Sequence, residues 1–446
     1  MLVRLVVLAA LFGLLFGFDE GVIAGAMHLI EGTFAVQPAD KGFMAAAVPL
    51  GAVLGAFLAA LCSDRFGRRS VLVLCAALFG CGALASALAP SMVVLTASRL
   101  LLGLAIGASA LAAPQYLAEL APARVRGAVV SAFQLMITIG ILAAYLSDML
   151  LEPLGDWRIM LGVGAIPALI AFLGIVRAPE SPRWLLLKGR EKEAAGVLRQ
   201  IDPDLAEADL DTTVGEIRES ARQPGGAPGW AALLGPAVRP MVFFSVAVFV
   251  LQQLSGINAV IYYAPSIMAA AGFDGTRAQL LATVGIGAVN VAMTVVAMLV
   301  VDRLGRRPLL IIGFLGSAAS LALIAVAVRL DGPGAAMMGF AAVLTYIAFF
   351  AVSLGPLPWL YMAELFPASL RSRGMALASV ANWSTNFLVV FLFPVIVSLA
   401  GMSVTFGLFA VSCVVGLVFA IRLAPETKGR SLEEIEGDLR PVRVTA

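Results

Sequence analysis

The polar and apolar positions along this chain do not alternate with a strand period, nor do they form the narrow apolar stripe of a soluble helix. They fall into long, nearly uninterrupted apolar runs separated by short polar punctuation. Twelve such runs are predicted as helices, at 3–27, 42–62, 70–89, 92–118, 127–150, 157–177, 237–268, 278–301, 308–328, 335–362, 374–399 and 402–423. Each is near the roughly 20 residues needed to cross a hydrocarbon core. In lipid every backbone amide must be satisfied internally, which leaves the helix as the natural form for such runs. The first run has no small-residue processing site behind it and reads as a retained span, not a cleaved leader.

Composition strengthens this picture. The chain is 61% hydrophobic and 13% charged, against roughly 25% charged in soluble domains, with a mean hydropathy of +0.98. The four cysteines, Cys62, Cys75, Cys81 and Cys413, have neither metal-ligand nor disulfide-framework spacing and read as small hydrophobes. A net charge of +2 without a basic block excludes nucleic acid as a partner. No phosphate-cradling loop or metal-ligand cluster is present, so an enzyme, a resident metal and an organic cofactor are not expected.

Charge then orients the spans. Arginines collect on alternate connections: Arg65, Arg68 and Arg69; Arg124 and Arg126; Arg303, Arg306 and Arg307; Arg371 and Arg373. The opposite connections carry chiefly Lys41, Arg158, Arg277 and Arg329. The positive-inside rule places both termini in the cytoplasm, together with the long charged connection 183–236, which reads as short amphipathic helices and a Pro/Gly linker. Three signatures occur twice in the same order. SDRFGRR at 63–69 returns as VDRLGRR at 301–307, AELAPARVRG at 118–127 as AELFPASLRSRG at 363–374, and PESPRW at 179–184 as PETKGR at 425–430. Their nearly equal offsets indicate a duplication. The expected units are a six-helix bundle 1–182, the linker 183–236, a second six-helix bundle 237–424 and a tail 425–446. Parallel repeats of this kind suit alternating access around a midplane site. The charged members of the repeated motifs are expected to form a cytoplasmic gate, with bonds across the seam between the halves. They are Asp64, Arg65, Arg68, Arg69, Glu119, Arg126, Glu180 and Arg183 in the first half, and Asp302, Arg303, Arg306, Arg307, Glu364, Arg371 and Glu426 in the second.

Polar residues inside the spans are costly and mark function. Asp19 stands roughly 22 Å up the first helix from Arg4, and Arg99 roughly 10 Å below the outer end of the fourth, at 1.5 Å per residue. Their similar depth predicts an ion pair. The arginine favours the carboxylate while burial favours the acid, so rocking that separates them would give a proton site linked to conformation. Glu20, about 100° further round the helix, is expected to face water in the outer vestibule and not to carry the proton. His28, near the outer end, reads as a surface residue. Amides at membrane depth, Gln134, Gln252, Gln253, Asn258, Asn290 and Asn382, together with Trp359 and Trp383, suit a neutral polyhydroxyl solute. Gln253 and Asn258 share one cavity only if the helix unwinds at Ser255-Gly256, and Pro356 and Pro358 are expected to interrupt the tenth span.

Over essentially its whole length the chain resembles the sugar porter family of the major facilitator superfamily. The resemblance rests on DRFGRR, PESPRWL, QQLSGINAVIYYAP (252–265), DRLGRRPL, GPLPWLYMAELFP (355–367) and PETKGRSLEEIE (425–436). It implies an all-α membrane protein of twelve helices in two pseudo-symmetric bundles. It also implies that Asp19 and Arg99 are the proton-coupling pair, a neutral amide standing at the acid's position in facilitative relatives. An acid found in the sixth helix of some relatives is replaced here by Gly164. Sugar contacts are implied at the eight amide and tryptophan positions above, with Phe16 and Tyr262 as further lining residues. Asn382 matches the facilitative glucose carriers and hints at a hexose. The expectation is import of a monosaccharide such as glucose with a proton, across a bacterial inner membrane, by a monomer embedded in lipid. The gradient serves as co-substrate and there is no cofactor. Uniport, a polyol such as inositol, and a non-transporting sugar sensor are the alternatives.

Overall fold

A computed structural model describes residues 2–34, 36–121, 126–201, 214–215, 230–236, 238–330, 332–366 and 370–428. Residues 202–213 and 216–229 of the 183–236 connection, the tail beyond 428, Arg124, and the side chains of the predicted gate residues Arg126 and Arg371 lie outside the described residues.

The first half contains α1 (Leu2–Thr33), α2 (Pro38–Phe66), α3 (Arg68–Ala87), α4 (Met92–Leu120) and α5 (Arg126–Leu151). Its sixth span is divided into α6 (Trp157–Val163) and α7 (Ala165–Ile175). Two short helices follow in the connection, α8 (Pro182–Leu187) and α9 (Glu191–Ile201), the latter burying Ala194 and Val197. In the second half the seventh span is broken into α10 (Arg239–Gln253), α11 (Ile257–Tyr262) and α12 (Ala264–Ala270). Then come α13 (Thr276–Leu304), α14 (Arg306–Ala327), α15 (Pro333–Phe349), a π-helical segment Phe350–Leu354, α16 (Leu357–Leu365) and α17 (Arg371–Leu423).

Eleven helical stretches among the described residues are long and apolar enough to cross a membrane. The last crosses twice. Gly401 interrupts α17 at φ 82°, ψ 163°, and the Phe393 and Phe409 rings lie 6.3 Å apart. Sixteen residues of straight helix would hold them roughly 24 Å apart. The chain therefore folds back at Gly401, and the fold has twelve spans.

The outer surface is apolar, unlike that of a soluble protein, and costly polar groups are withdrawn into a largely apolar interior. Leu74, Leu84, Ile166, Leu169, Leu315, Val411 and Val415 project outward, while Asp19, Glu20, Arg99, Asp148, Gln252 and Gln253 are buried. Of the cysteines Cys75 and Cys413 are buried, Cys62 is half-buried and Cys81 is exposed, on an outer face where lipid rather than protein provides the apolar medium. His28 is exposed, as its position predicts. Helices meet closely through glycine: a methyl group at Gly17 or Gly21 of α1 would collide with Ile137, Ile141 or Ala144 of α5. This fixes the rotation of α1 about its axis.

The duplicated motifs build one cluster in each half. Gly67 (φ 97°) and Gly305 (φ 88°) make the tight turns into α3 and α14, a conformation open to glycine. Arg68 pairs with Glu119 at 3.1 Å and with Asp64 at 3.3 Å; Arg306 pairs with Glu364 at 2.8 Å and with Asp302 at 3.0 Å. Ser181 and Thr427 donate to the same two glutamates. Glu180 accepts from the Arg69 backbone N–H at 3.0 Å, and Glu426 from those of Arg306 at 3.0 Å and Arg307 at 3.2 Å. Each carboxylate thus caps a helix N-terminus, where free N–H groups and the dipole favour an anion. Arg69 and Arg307 reach back to the carbonyls of Val176 and Ile421. Arg65, Arg183 and Arg303 are exposed.

Among the described residues these bonds stay within their own half, whereas the sequence led us to expect them across the seam. The reason is chain geometry: each PE(S/T) segment leaves the last helix of its half and turns directly beneath the third. Burial opposes ionisation of Glu426, but the N–H groups of Lys428, Arg306 and Arg307 and the Arg306 charge hold its carboxyl below the usual range. Its contribution to stability is therefore full above the unfolded value and lost as pH falls through the lower folded one. In detergent, Glu426→Gln is expected to melt several degrees below wild type at pH 7, with the gap closing below about pH 4. A pH-independent gap would mean that ionisation of Glu426 contributes nothing.

Candidate functional site

A cavity of about 250 Å³ lies between the two halves, just below the roughly 300–1,000 Å³ seen for drug-sized ligands. On the arginine-poor face the halves close on each other: Phe43 of α2 meets Phe387 and Phe391 of α17 at 6.5 and 6.2 Å. There, too, Lys41 sits 5.6 Å over the Tyr263 ring. The cavity wall instead includes Pro114, Phe133, Trp359 and Met375, all within about two turns of the arginine-rich ends of their helices. It is thus sealed on one side and extends toward the other.

The amides converge here because two helices are broken. Gly256 adopts φ 84°, and the break at 254–256 brings Asn258 beside Gln253. Asn258 Nδ2 donates to Gln253 Oε1 at 2.9 Å, and Gln253 Nε2 donates to Asn382 Oδ1 at 2.7 Å. The Tyr346 hydroxyl donates to the Ser255 carbonyl at 2.9 Å, satisfying a group that the break exposes. In the tenth span Pro358 has no N–H to offer the Leu354 carbonyl four residues earlier, and Gln252 Nε2 donates to it at 2.7 Å.

Phe16, Gln134, Gln252, Gln253, Asn258, Asn290, Trp359, Asn382 and Trp383 all line the cavity. Phe16 packs on Trp383 with ring centroids 5.4 Å apart, and Trp359 on Phe249 at 4.9 Å. Gln252 Oε1, Trp383 Nε1 and Asn386 Oδ1 are buried without a hydrogen-bond partner among the described residues. Two acceptors and a donor left unsatisfied beside aromatic faces suit a solute that both donates and accepts. Tyr262 is not brought to the wall. It is fully buried one turn beyond Asn258, where the closed side of the protein packs around it. Sequence reasoning missed Thr138, Thr294 and Asn386, which do line the cavity. Each stands four residues after a recognised lining residue, so the one-turn spacing was the available signal.

Asp19 and Arg99 meet as their depths predict. Arg99 Nη2 lies 3.5 Å from Asp19 Oδ2, with the arginine fully buried and the aspartate side chain 4% exposed. The contact is loose, since Asp19 Oδ2 and all three guanidinium nitrogens have no hydrogen-bond partner among the described residues. Asp19 does not touch the central cavity. It lines a separate small void with Phe18, Ser86, Leu102, Leu161 and Gly164, on the other side of α1. Glu20 corrects the sequence reading in the opposite sense: it is 4% exposed and faces the central cavity, not outer water.

A twelve-helix membrane protein of two repeated halves, enclosing a cavity lined by amides and aromatic rings and sealed on one side, belongs to the class of alternating-access transporters. The comparisons refine the class: the family described as "Sugar (and other) transporter" matches residues 5–439. The chain belongs to this sugar porter family of the major facilitator superfamily, whose members are transporters and not enzymes. It is 41% identical over 434 residues to a D-xylose transporter of Levilactobacillus brevis, covering 97% of this chain and 94% of the relative. It is 40% identical over 435 residues to the galactose-proton symporter of Escherichia coli strain K12, covering 97% and 93%. Among solved structures it is similar to the partially occluded inward open conformation of the xylose transporter XylE from E. coli. That match has a TM-score of 0.85, 30% identity and coverage of 97% of this chain and 99% of the other.

Proposed function

We propose that the protein imports a monosaccharide together with a proton, with a hexose such as glucose as solute, across a bacterial inner membrane. The observation that carries this reading is the buried Asp19–Arg99 pair on the helix that also forms part of the cavity wall. Phe16 faces the cavity and Asp19, three residues on, faces Arg99. Movement of α1 as the halves close around a sugar therefore changes the separation of the pair. A carboxylate whose proton affinity depends on that separation links proton and sugar movement. The amides and tryptophans support a neutral, hydroxyl-rich solute, and the relatives named for xylose and galactose support both a pentose and a hexose. The arginine distribution supports cytoplasmic termini, which makes the state described here inward-facing.

The test is to add glucose, galactose, xylose and inositol in turn to unenergised vesicles containing the protein and record external pH. A transient alkalinisation with one sugar is expected. Uptake of that sugar without proton movement would replace symport by uniport, and a response to inositol alone would replace the monosaccharide by a polyol.

A further inference from the structure

Among the described residues Glu20 is the sole titratable side chain on the cavity wall. The glycine contacts of α1 explain why it points there. Gly17 and Gly21 face α5 at a distance that admits no side chain, so α1 cannot turn about its axis. Phe16 and Glu20, one turn apart, then share the cavity face, while Asp19 is directed to Arg99 on the opposite side. The Glu20 carboxylate is 4% exposed and makes no hydrogen bond or ion pair among the described residues. Arg99, the cation buried at this end of α1, is directed to Asp19 instead. A buried carboxyl group without a partner is costly, and what faces this one is the space the solute would occupy.

Accepting the cavity as the solute site, we infer that Glu20 binds the solute directly and sets the charge class the site accepts. Its oxygens take hydrogen bonds from sugar hydroxyls, so neutral sugars bind. A sugar bearing a protonated amine supplies the counter-charge that Glu20 lacks and adds an ion pair in a medium where such pairs are weakly screened. A uronic acid places its carboxylate in a cavity whose wall offers no cation among the described residues, and is rejected. The amides lining the rest of the wall discriminate between none of these charges. Charge selection therefore falls to this one residue. The site is a monosaccharide site that extends to cationic amino sugars and excludes anionic ones.

The full-length transporter is reconstituted in liposomes, and exchange of labelled glucose is inhibited with glucose, its 2-amino, 3-amino and 6-amino deoxy derivatives, and glucuronate, at pH 6.5. Where galactose is the exchanged sugar, the matching galactose series is used. In wild type at least one amino derivative is expected to inhibit at least as well as the parent hexose, and the uronate at least about tenfold more weakly. In Glu20→Gln the potency ratio of amino derivative to parent is expected to fall about tenfold, and Glu20→Asp is expected to restore it in part. A ratio within twofold of wild type in Glu20→Gln would overturn the inference, as would a wild-type protein that binds glucuronate as well as the parent sugar. The wild-type arm tests the inference even if a variant does not fold. Absence of exchange of any neutral sugar in wild type would instead overturn the underlying transport reading.

Discussion

Asp19→Asn is expected to abolish accumulation of sugar against its gradient while leaving exchange of sugar across the membrane intact. The amide has nearly the shape of the carboxylic acid and still presents an oxygen to Arg99, so α1 and α4 stay packed. What it lacks is a proton to gain or lose. Removing one member of a buried pair commonly costs about 3–5 kcal/mol because the other charge is stranded. Here the existing contact is 3.5 Å long and outside hydrogen-bonding geometry, so less native interaction is forfeited. The variant is therefore expected to fold, and to equilibrate sugar without alkalinising the medium. Measured as steady-state accumulation in energised vesicles, the ratio of internal to external sugar is expected to fall to about one, the value when no proton gradient is linked to sugar. Accumulation at the wild-type level by Asp19→Asn would refute proton coupling through this residue.

The meeting of Asp19 with Arg99 was legible because depth along two antiparallel helices can be counted in residues, and because each charge alone is costly in lipid. The break at Ser255-Gly256 was legible for a similar reason: two amides 140° apart on a straight helix cannot share a cavity, and a glycine stood between them. The boundary expected between 374–399 and 402–423 falls at Gly401, where the chain turns. Other features depended on which faces touch, and the apolar runs say little about that. A lipid-facing side and a protein-facing side are both hydrophobic, so the period that orients a soluble helix is weak here. For α1 the orienting signal was instead the glycines at 13, 17, 21 and 25, every fourth residue, which form the side of closest approach to α5. With that side assigned, Glu20 falls beside Phe16 on the cavity rather than in outer water.

The repeated arginine motifs taught a related lesson. Their residue types predicted charge-assisted bonds, but not which half supplies the partner. That choice is made by the short path from the end of the sixth or twelfth span to the turn before the third or ninth. The result is a rigid cluster at the base of each half, and this has a consequence for mechanism. Glu119 and Glu180 tie the third and fourth spans to the segment after the sixth, and Glu364 and Glu426 tie the ninth and tenth to the segment after the twelfth. The first helix, α1, is not among those these carboxylates tie and can shift against α4. The polar cavity then lies where the two bodies meet, and changes shape as they tilt.

Within that cavity Gln253 is expected to be the residue whose loss is felt most. Its side chain accepts from Asn258 across the break in the seventh span and donates to Asn382 in the eleventh. It thus joins three helical pieces while lining the wall. Gln253→Leu keeps the volume but leaves the Asn258 amide and the Asn382 carbonyl buried without these partners, each at a cost of about 1–3 kcal/mol. A sugar would meet two misoriented groups and lose a third. Together these losses predict a rise of about 100-fold or more in the sugar concentration giving half-maximal exchange, since every 1.4 kcal/mol is tenfold. Gln253→Asn retains both functions of the amide but falls one methylene short, and is expected to lie between. By contrast Gln134→Leu, on the opposite wall and with no bond to this network among the described residues, is expected to cost about tenfold. Counterflow measured over a range of sugar concentrations distinguishes the three variants. Equal effects of Gln253→Leu and Gln134→Leu would show that the network does not hold the amides in place for the solute.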